Sequence, residues 1–188
     1  MSLASQSRAL AASVALAAVP LAWVLEGEAA AAPAPSPRPG SEAALMQSLL
    51  RSRELWATID VCSPADEQNY VGVRGSMPGD RHAHDKMYMR FRLEYMNTTK
   101  KTWADLTSAT SPTFVYVGPG SGVRQGGRSF QLVPRTGKPA VMLRGVVEYQ
   151  WRRGKTVVQS TSRATGPGHK SVAGADPPGY SSATCSIG

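Results

Sequence analysis

Histidines, acidic residues and recognisable catalytic motifs are scarce in this sequence. Its 188 residues include 3 histidines, and 13 Asp and Glu against 21 Lys and Arg. Neither the His-Glu-x-x-His motif of zinc proteases nor the Gly-x-Ser-x-Gly motif of serine hydrolases occurs. The few carboxylates are scattered along the chain, whereas paired-carboxylate hydrolysis needs two acids at one pocket. We therefore expect a protein that is not an enzyme, and a hydrolase is the third of three functional hypotheses.

Only one apolar run is long, and it lies at the N-terminus. One positive charge, Arg8, precedes the uncharged residues 9–25, and three alanines at 29–31 follow. A basic start, an apolar segment and a small-residue cleavage site are typical of a secretory signal peptide. An uncleaved membrane anchor is the alternative, although these 17 residues are fewer than the roughly 20 that usually span a bilayer. We predict a signal peptide over 1–31, a secreted or cell-surface protein, and no transmembrane span in the mature chain.

Cysteine is scarce as well, since the sequence holds only Cys62 and Cys185. An even number of cysteines in an exported chain implies a disulfide. Neither thiol is then free, which argues against a cysteine nucleophile and against thiolate metal ligands. The two residues lie near the two ends of the segment that is predicted to fold.

Composition divides the chain into four segments, of which the signal peptide is the first. Residues 32–40 are rich in proline and predict an extended linker. Residues 41–54 have apolar side chains at helical spacing after Ser41, a typical N-cap residue, and predict a short helix or an arm packed loosely on the domain. From 55 to 188 the apolar period is two, which predicts a single β-domain with one core.

Residues 86–97 and 141–151 are the clearest strands, because apolar and polar side chains alternate along both. Residues 75–80 are predicted to be a turn, and the glycine-rich residues 118–127 a mobile hairpin loop that does not match a phosphate-binding motif. The pattern predicts an all-β fold, an antiparallel β-sandwich of about seven or eight strands with the short helix outside it. The predicted strands are 55–62, 69–74, 86–97, 113–117, 128–133, 141–151, 156–165 and 182–187.

The first and last strands of such a sandwich commonly lie near each other. Cys62 ends the first predicted strand and Cys185 lies in the last. We therefore predict a Cys62–Cys185 bond that ties these two strands together and closes a loop of 123 residues. The chain-entropy model assigns such a loop a stabilisation of roughly 5 kcal/mol.

Residues 147–158 combine an aromatic-x-aromatic strand, a basic turn containing Gly154, and a β-branched return strand. With the later Gly166-Pro167-Gly168 turn, this segment resembles the late hairpin of bacterial exported immunoglobulin-like domains. The resemblance covers residues 147–168 and implies an immunoglobulin-like sandwich. It assigns no functional residue, because that fold supports many functions. In antibody-type domains the disulfide joins two central strands, whereas the bond predicted here joins the ends of the domain.

Three potential metal ligands, Asp80, His82 and His84, occupy alternate positions in a polar segment between strands. In an extended backbone, alternate side chains project to the same side. Imidazole and carboxylate groups at this spacing are ligands of Zn²⁺ or Cu²⁺. An exported metal-binding protein is therefore the second functional hypothesis, and an ordinary solvated loop is the simpler interpretation. No other cofactor is predicted. Further possible ligands for the same metal site are Asp85, His169, Met87 and Met89.

Basic residues outnumber acidic ones, and the formal net charge of +8 rises by one when the signal peptide, with one basic and two acidic residues, is removed. This excess indicates an anionic partner. Export disfavours nucleic acid and favours an anionic wall polymer or glycan, or another surface protein. We predict an exported binding or structural module without catalytic activity, and the alternative for its basic strands is an ordinary solvated face. The residues predicted to form a polyanion-binding face, close to Tyr88, are Arg90, Arg92, Arg144, Arg152, Arg153 and Lys155.

Overall fold

The computed structural model describes residues 40–134 and 136–188, which belong to one compact unit. The predicted signal peptide and residues 32–39 of the predicted linker lie outside this part of the chain. Within it, no helix is long and apolar enough to span a membrane.

The predicted short helix is present as α1 (Glu42–Leu50). Ser41 is its N-cap, and its Oγ accepts a hydrogen bond of 3.1 Å from the backbone N–H of Ala44. The helix lies outside both sheets, but it is packed more closely than the loose arm that was expected. Met46 and Leu49, one turn apart, are both buried in the same apolar cluster as the strands.

In residues 40–134 and 136–188, nine antiparallel strands form two sheets that pack face to face, which confirms the prediction of an antiparallel β-sandwich. The smaller sheet has the order β1-β2-β6. The larger sheet has the order β4-β3-β7-β8, with β5 also beside β3 and β9 also beside β7. The strands are β1 (Trp56–Cys62), β2 (Tyr70–Met77), β3 (Lys86–Asn97), β4 (Thr102–Thr110), β5 (Val115–Pro119), β6 (Arg124–Gln131), β7 (Val141–Arg153), β8 (Thr156–Ala164) and β9 (Cys185–Ile187).

Strands β3 and β7 provide the centre of the core, as their alternating pattern predicts. Their inward side chains, which include Phe91 and Trp151, are almost completely buried. Two hydrogen bonds connect β7 to the smaller-sheet side of the molecule. The Tyr149 hydroxyl donates to the Trp56 carbonyl at 2.5 Å, and the Trp151 indole N–H donates to the Pro78 carbonyl at 2.9 Å. The buried aromatic rings therefore also satisfy backbone acceptors between the sheets.

The structure corrects two of the predicted turns. Residues 75–77, predicted as part of a turn, continue β2, and most of the predicted glycine-rich loop belongs to β5 and β6. Gly75 is required by packing, because a Cβ there would lie 2.9 Å from the Tyr149 hydroxyl and 2.9 Å from Val147 Cγ1. Glycine in these segments therefore allows packed strands to approach closely, and it does not indicate a mobile loop.

Strand β4 was not predicted from the sequence. It is the strand beside β3 at one edge of the larger sheet, and of its nine residues only Ala109 is buried. An edge strand with so little buried surface has no row of apolar side chains, so the period of two is missing.

The Cys62–Cys185 disulfide is present, with a Cα–Cα distance of 5.6 Å. It joins the end of β1 in the smaller sheet to the start of β9, which pairs with β7 in the larger sheet. The predicted bond between the first and last strands is therefore confirmed, and it also cross-links the two sheets.

Residues 165–184 form a strap that runs along β1 and the outer side of the smaller sheet. The strap is held by a stack of His169 on Trp56, with ring centroids 4.6 Å apart, and by a hydrogen bond of 2.8 Å between the hydroxyls of Thr58 and Ser181. Residues on both faces of β1 are consequently buried. The strap contacts the smaller sheet, and the arginines of β3 and β7 lie on the outer side of the larger sheet.

Candidate functional site

The outer face of the larger sheet collects most of the predicted polyanion-binding residues. We use the term outer face for the outward side chains of β3 and β7. Arg90, Arg92, Arg144 and Arg152 all lie on it, because the register pairs each outward position of β3 with an outward position of β7. The outward residues of the two central strands, from Lys86 to Glu94 and from Arg144 to Arg152, are Lys86, Tyr88, Arg90, Arg92, Glu94, Arg144, the buried Val146, Glu148, Gln150 and Arg152.

Carboxylates on the same face neutralise three of these four arginines. Glu148 accepts a hydrogen bond of 2.7 Å from Arg90 and lies 3.7 Å from the guanidinium of Arg92. Glu94 accepts from Arg92 and, at 2.6 Å, from Arg144. Burial acts to raise the pKa of Glu94, but the two arginines outweigh it and hold that pKa below its ordinary value. The middle of the outer face is therefore a ladder of alternating charges.

Arg152 has a different environment at one end of the outer face. Its guanidinium lies 4.2 Å from the ring centroid of Tyr88 and 5.3 Å from that of Phe114, and its Nε donates to Gln150 at 2.8 Å. Among the described residues it has no carboxylate partner. Lys86 stands opposite it in the register between β3 and β7. This end thus combines positive charge with exposed aromatic surface.

Aromatic rings that the sequence prediction did not include complete this end of the face. Tyr116 lies 5.6 Å from Tyr88, centroid to centroid, and is about half exposed. Phe114 also lies 5.0 Å from the guanidinium of Arg90. A depression of about 300 Å³ lies beside the Phe114 ring. The residues that line it are Arg92, Phe114, Glu148, Tyr149, Gln150, Ser160, Thr161 and Ser162.

Arg153 and Lys155 do not join the outer face. Arg153 forms two hydrogen bonds of 3.1 Å and one of 2.9 Å with the Asp85 carboxylate, and one of 2.7 Å with Glu42 of α1. Lys155 lies in the exposed turn between β7 and β8. Four of the six residues predicted to form a polyanion-binding face therefore share the outer face, and Arg152 is the one of these four without a carboxylate partner among the described residues.

A second group of polar side chains forms in the loop between β2 and β3. One ligand atom from each of Asp80, His82 and Asp85 lies within 4.8 Å of the others; we call these three residues the Asp80 cluster. His84, predicted as the third metal ligand, lies on the exposed turn outside the cluster, and Asp85 takes its place. His169, considered as a further ligand, stacks on Trp56 in the strap.

The predicted alternation of ligands is wrong because the backbone of this loop is not extended. Arg81 has a positive φ of 70°, and the Asp85 N–H donates to the His82 carbonyl at 3.1 Å, which closes a turn. Side chains alternate between two sides only where the backbone is extended, so the alternation does not continue through this turn. The turn brings Asp85 back toward Asp80 and directs His84 away.

Burial and the neighbouring charges act in opposite directions on the two carboxyls of the Asp80 cluster. The side chain of Asp80 is completely buried, and this burial, strengthened by the nearby Asp85 carboxylate, raises its pKa. Asp85 is also nearly buried, but its hydrogen bonds to Arg153 lower its pKa. Two close carboxyls of this kind favour a state in which Asp80 keeps its proton and Asp85 is ionised.

We expect Asp80→Asn to become more stable relative to the wild type as the pH rises through the ordinary carboxyl pKa of about 4 toward neutral pH. Because the pKa of Asp80 is raised in the folded state, the wild type loses stability as the pH rises from the ordinary carboxyl pKa to the folded-state value. Asparagine does not titrate, and its amide can donate to Asp85 as a protonated acid would. Urea unfolding in buffer containing EDTA, repeated across this pH range, measures the difference.

Asp66→Asn is the matched control for this titration. It makes the same Asp-to-Asn change in an exposed turn outside the Asp80 cluster, so it measures the effect of the substitution itself. Parallel profiles for the wild type and Asp80→Asn would show that Asp80 ionises normally in the folded protein.

Comparisons with known proteins identify no family for this chain. No protein-family model matches it, and no curated protein sequence matches it. A solved structure of Pseudomonas fluorescens alkylpurine DNA glycosylase AlkC, bound to DNA containing an abasic site analog, is similar to 66% of this chain, with 15% sequence identity and a TM-score of 0.29. The matched part spans 33% of the glycosylase chain. A similarity this weak carries no argument about function. Any function has to be argued from the residues of the site.

Proposed function

We propose that this protein is an exported binding module without catalytic activity, located at the cell surface or outside the cell. Its ligand surface is the end of the outer face around Arg152, and its ligand is an anionic glycan or wall polymer. The predicted signal peptide and the disulfide support export, because disulfides persist in oxidising compartments. The immunoglobulin-like resemblance agrees with a surface module and remains a proposal.

The observation that carries this proposal is the position of the Arg152 guanidinium on two aromatic rings, without a carboxylate partner in the described chain. Arginine recognises carboxylate, phosphate and sulfate groups through two parallel hydrogen bonds. Exposed aromatic rings such as Tyr116 present flat apolar surface to the C–H faces of a sugar ring. One anionic sugar unit can use both kinds of contact at this end of the face.

The adjoining depression supplies groups that suit sugar hydroxyls. Gln150, Ser160 and Ser162 offer both donors and acceptors along its lining. Glu148, the carboxylate in the depression, is engaged by Arg90 and Arg92. This engagement fits a residue that orders the arginines, and not a general acid that must exchange a proton with a substrate.

We expect Arg152→Ala to bind immobilised heparin roughly tenfold more weakly than the wild type, since a hydrogen bond to a charged group contributes about 1.5–3 kcal/mol. Heparin serves as a probe because it is a glycan that carries carboxylate and sulfate groups. Retention across a sodium chloride gradient gives the comparison. Elution of the wild type below the physiological salt concentration would contradict a specific role in binding polyanions.

Arg128→Ala provides the matched control. Arg128 is an exposed residue of β6 in the smaller sheet, so its replacement removes the same charge from another surface. Equal losses of heparin binding in the two variants would indicate general attraction to the basic protein surface. A surface protein as the partner would instead leave the wild type unretained by heparin.

A further inference from the structure

We propose that the Asp80 cluster is a binding site for a divalent first-row metal ion, with Zn²⁺ as the ion to test. The donor atoms are one imidazole nitrogen of His82 and one carboxylate oxygen from each of Asp80 and Asp85, which lie within 4.8 Å of one another. The site is separate from the outer face and does not depend on the glycan proposal. It shares two residues with the ligand set predicted from sequence and replaces His84 by Asp85.

The first argument is a buried oxygen without a partner. The Asp80 side chain has 0% exposure, and among the described residues its Oδ2 has no hydrogen-bond partner. Its Oδ1 accepts from the backbone N–H of His82 at 3.0 Å and lies 3.9 Å from His82 Nδ1. A buried carboxylate oxygen without a partner is unfavourable unless a proton or a cation satisfies it.

The second argument is the charge of the two carboxylates. When both Asp80 and Asp85 are ionised, Arg153 compensates only one of the two negative charges. Arg153 already donates to both oxygens of Asp85, so it orients and ionises that ligand from outside the cluster. Residues in this position raise metal affinity by fixing the ligand. A divalent ion supplies the positive charge that the cluster still lacks.

The third argument is the rigid backbone that surrounds the cluster. The Arg81 N–H donates to the Gly120 carbonyl at 3.0 Å, and the Gly120 N–H donates to the Asp85 carbonyl at 2.8 Å. A Cβ at Gly120 would lie 2.2 Å from Asp80 Oδ1, so this glycine lets the β5–β6 turn close over the carboxylate. Two segments therefore hold Asp80 and Asp85 in place before any ion binds.

The donor set and its dimensions suit a first-row ion after one small movement. One imidazole and two carboxylates are ligands that Zn²⁺ accepts, with a water or carbonyl oxygen as the fourth. Tetrahedral zinc brings ligand atoms to about 3.3 Å from one another, slightly closer than the 3.9 Å between the Oδ1 of Asp80 and the Nδ1 of His82. The His82 side chain is 46% exposed, so it can rotate toward the buried Asp80 carboxylate.

The test is a Zn²⁺ titration of the full, tag-free, oxidised protein after treatment with EDTA. Isothermal calorimetry should give about one equivalent bound per chain, and saturating Zn²⁺ should raise the melting temperature by roughly 5–10 °C. His82→Ala should weaken Zn²⁺ binding by at least about tenfold. Because His82 is exposed, this variant keeps the fold, which near-ultraviolet circular dichroism verifies.

His84→Ala is the matched control, since it removes a histidine two residues away on the same loop and should bind Zn²⁺ as the wild type does. Asp80→Asn is the second variant, and it should remain folded while losing Zn²⁺ binding. The proposal is overturned by a titration without saturation at one site, or by equal loss in His82→Ala and His84→Ala. Retained Zn²⁺ binding in Asp80→Asn would contradict it as well.

Discussion

Replacing Cys62 and Cys185 together by alanine should lower the free energy of unfolding by up to about 5 kcal/mol. The bond closes a loop of 123 residues, which includes all strands between β1 and β9. Without it the unfolded chain gains the conformational freedom of that loop. The bond also joins the smaller sheet to the larger one, so its loss frees β9, a strand of only three residues.

Urea unfolding of the oxidised wild type and of the double variant measures this effect. The wild type kept in dithiothreitol is the control, and it should show nearly the same stability as the double variant. A decrease below about 1 kcal/mol would contradict the account, because it would mean that the paired strands hold the two ends together without the bond.

Trp151→Ala is expected to lower the free energy of unfolding by about 3–5 kcal/mol. Trp151 is completely buried at the end of the inward row of β7, so alanine leaves a large cavity. The substitution also leaves the Pro78 carbonyl without the indole N–H that donates to it. Pro78 precedes the loop that carries Asp80, so the same variant should loosen the Asp80 cluster.

Trp151→Phe separates the two contributions, because it keeps most of the volume and removes the N–H. It should lower the free energy of unfolding by less than Trp151→Ala does. It should still weaken Zn²⁺ binding if the Pro78 contact positions the loop. Val157→Ala, at a partly exposed position of β8, is the control and should change stability by less than about 0.5 kcal/mol. Equal, small effects of all three variants would contradict a core centred on Trp151.

The sandwich could be predicted from sequence where one face of a strand is buried. In β3 the apolar residues stand at every second position, since that side meets the smaller sheet and the other meets water. The same rule fails for β4, which is an edge strand with almost no buried side chains. It also fails for residues 75–77. Gly75 allows close packing there, but glycine is equally common in turns, so the sequence does not distinguish the two.

The candidate sites depend on pairing and turn geometry, which a sequence does not specify. The alternation along β3 and β7 places Glu94 and Glu148 on the outward side, but it does not give the register that sets Glu94 against Arg144 and Glu148 against Arg90. The Asp80 cluster required a turn with a positive φ at Arg81. The preceding Pro78-Gly79 pair is a turn signal, and it argued against the extended backbone that the Asp80, His82, His84 prediction assumed.

The most direct test of the proposed binding face is an NMR titration of the ¹⁵N-labelled protein with a short heparin oligosaccharide. The account predicts saturable chemical-shift changes centred on Tyr88, Phe114, Tyr116 and Arg152, together with the backbone amides of Gln150 and its neighbours. These changes should be absent in Arg152→Ala and retained in Arg128→Ala. Changes centred on the smaller sheet, or spread over all basic surfaces without saturation, would contradict a ligand site at this end of the outer face.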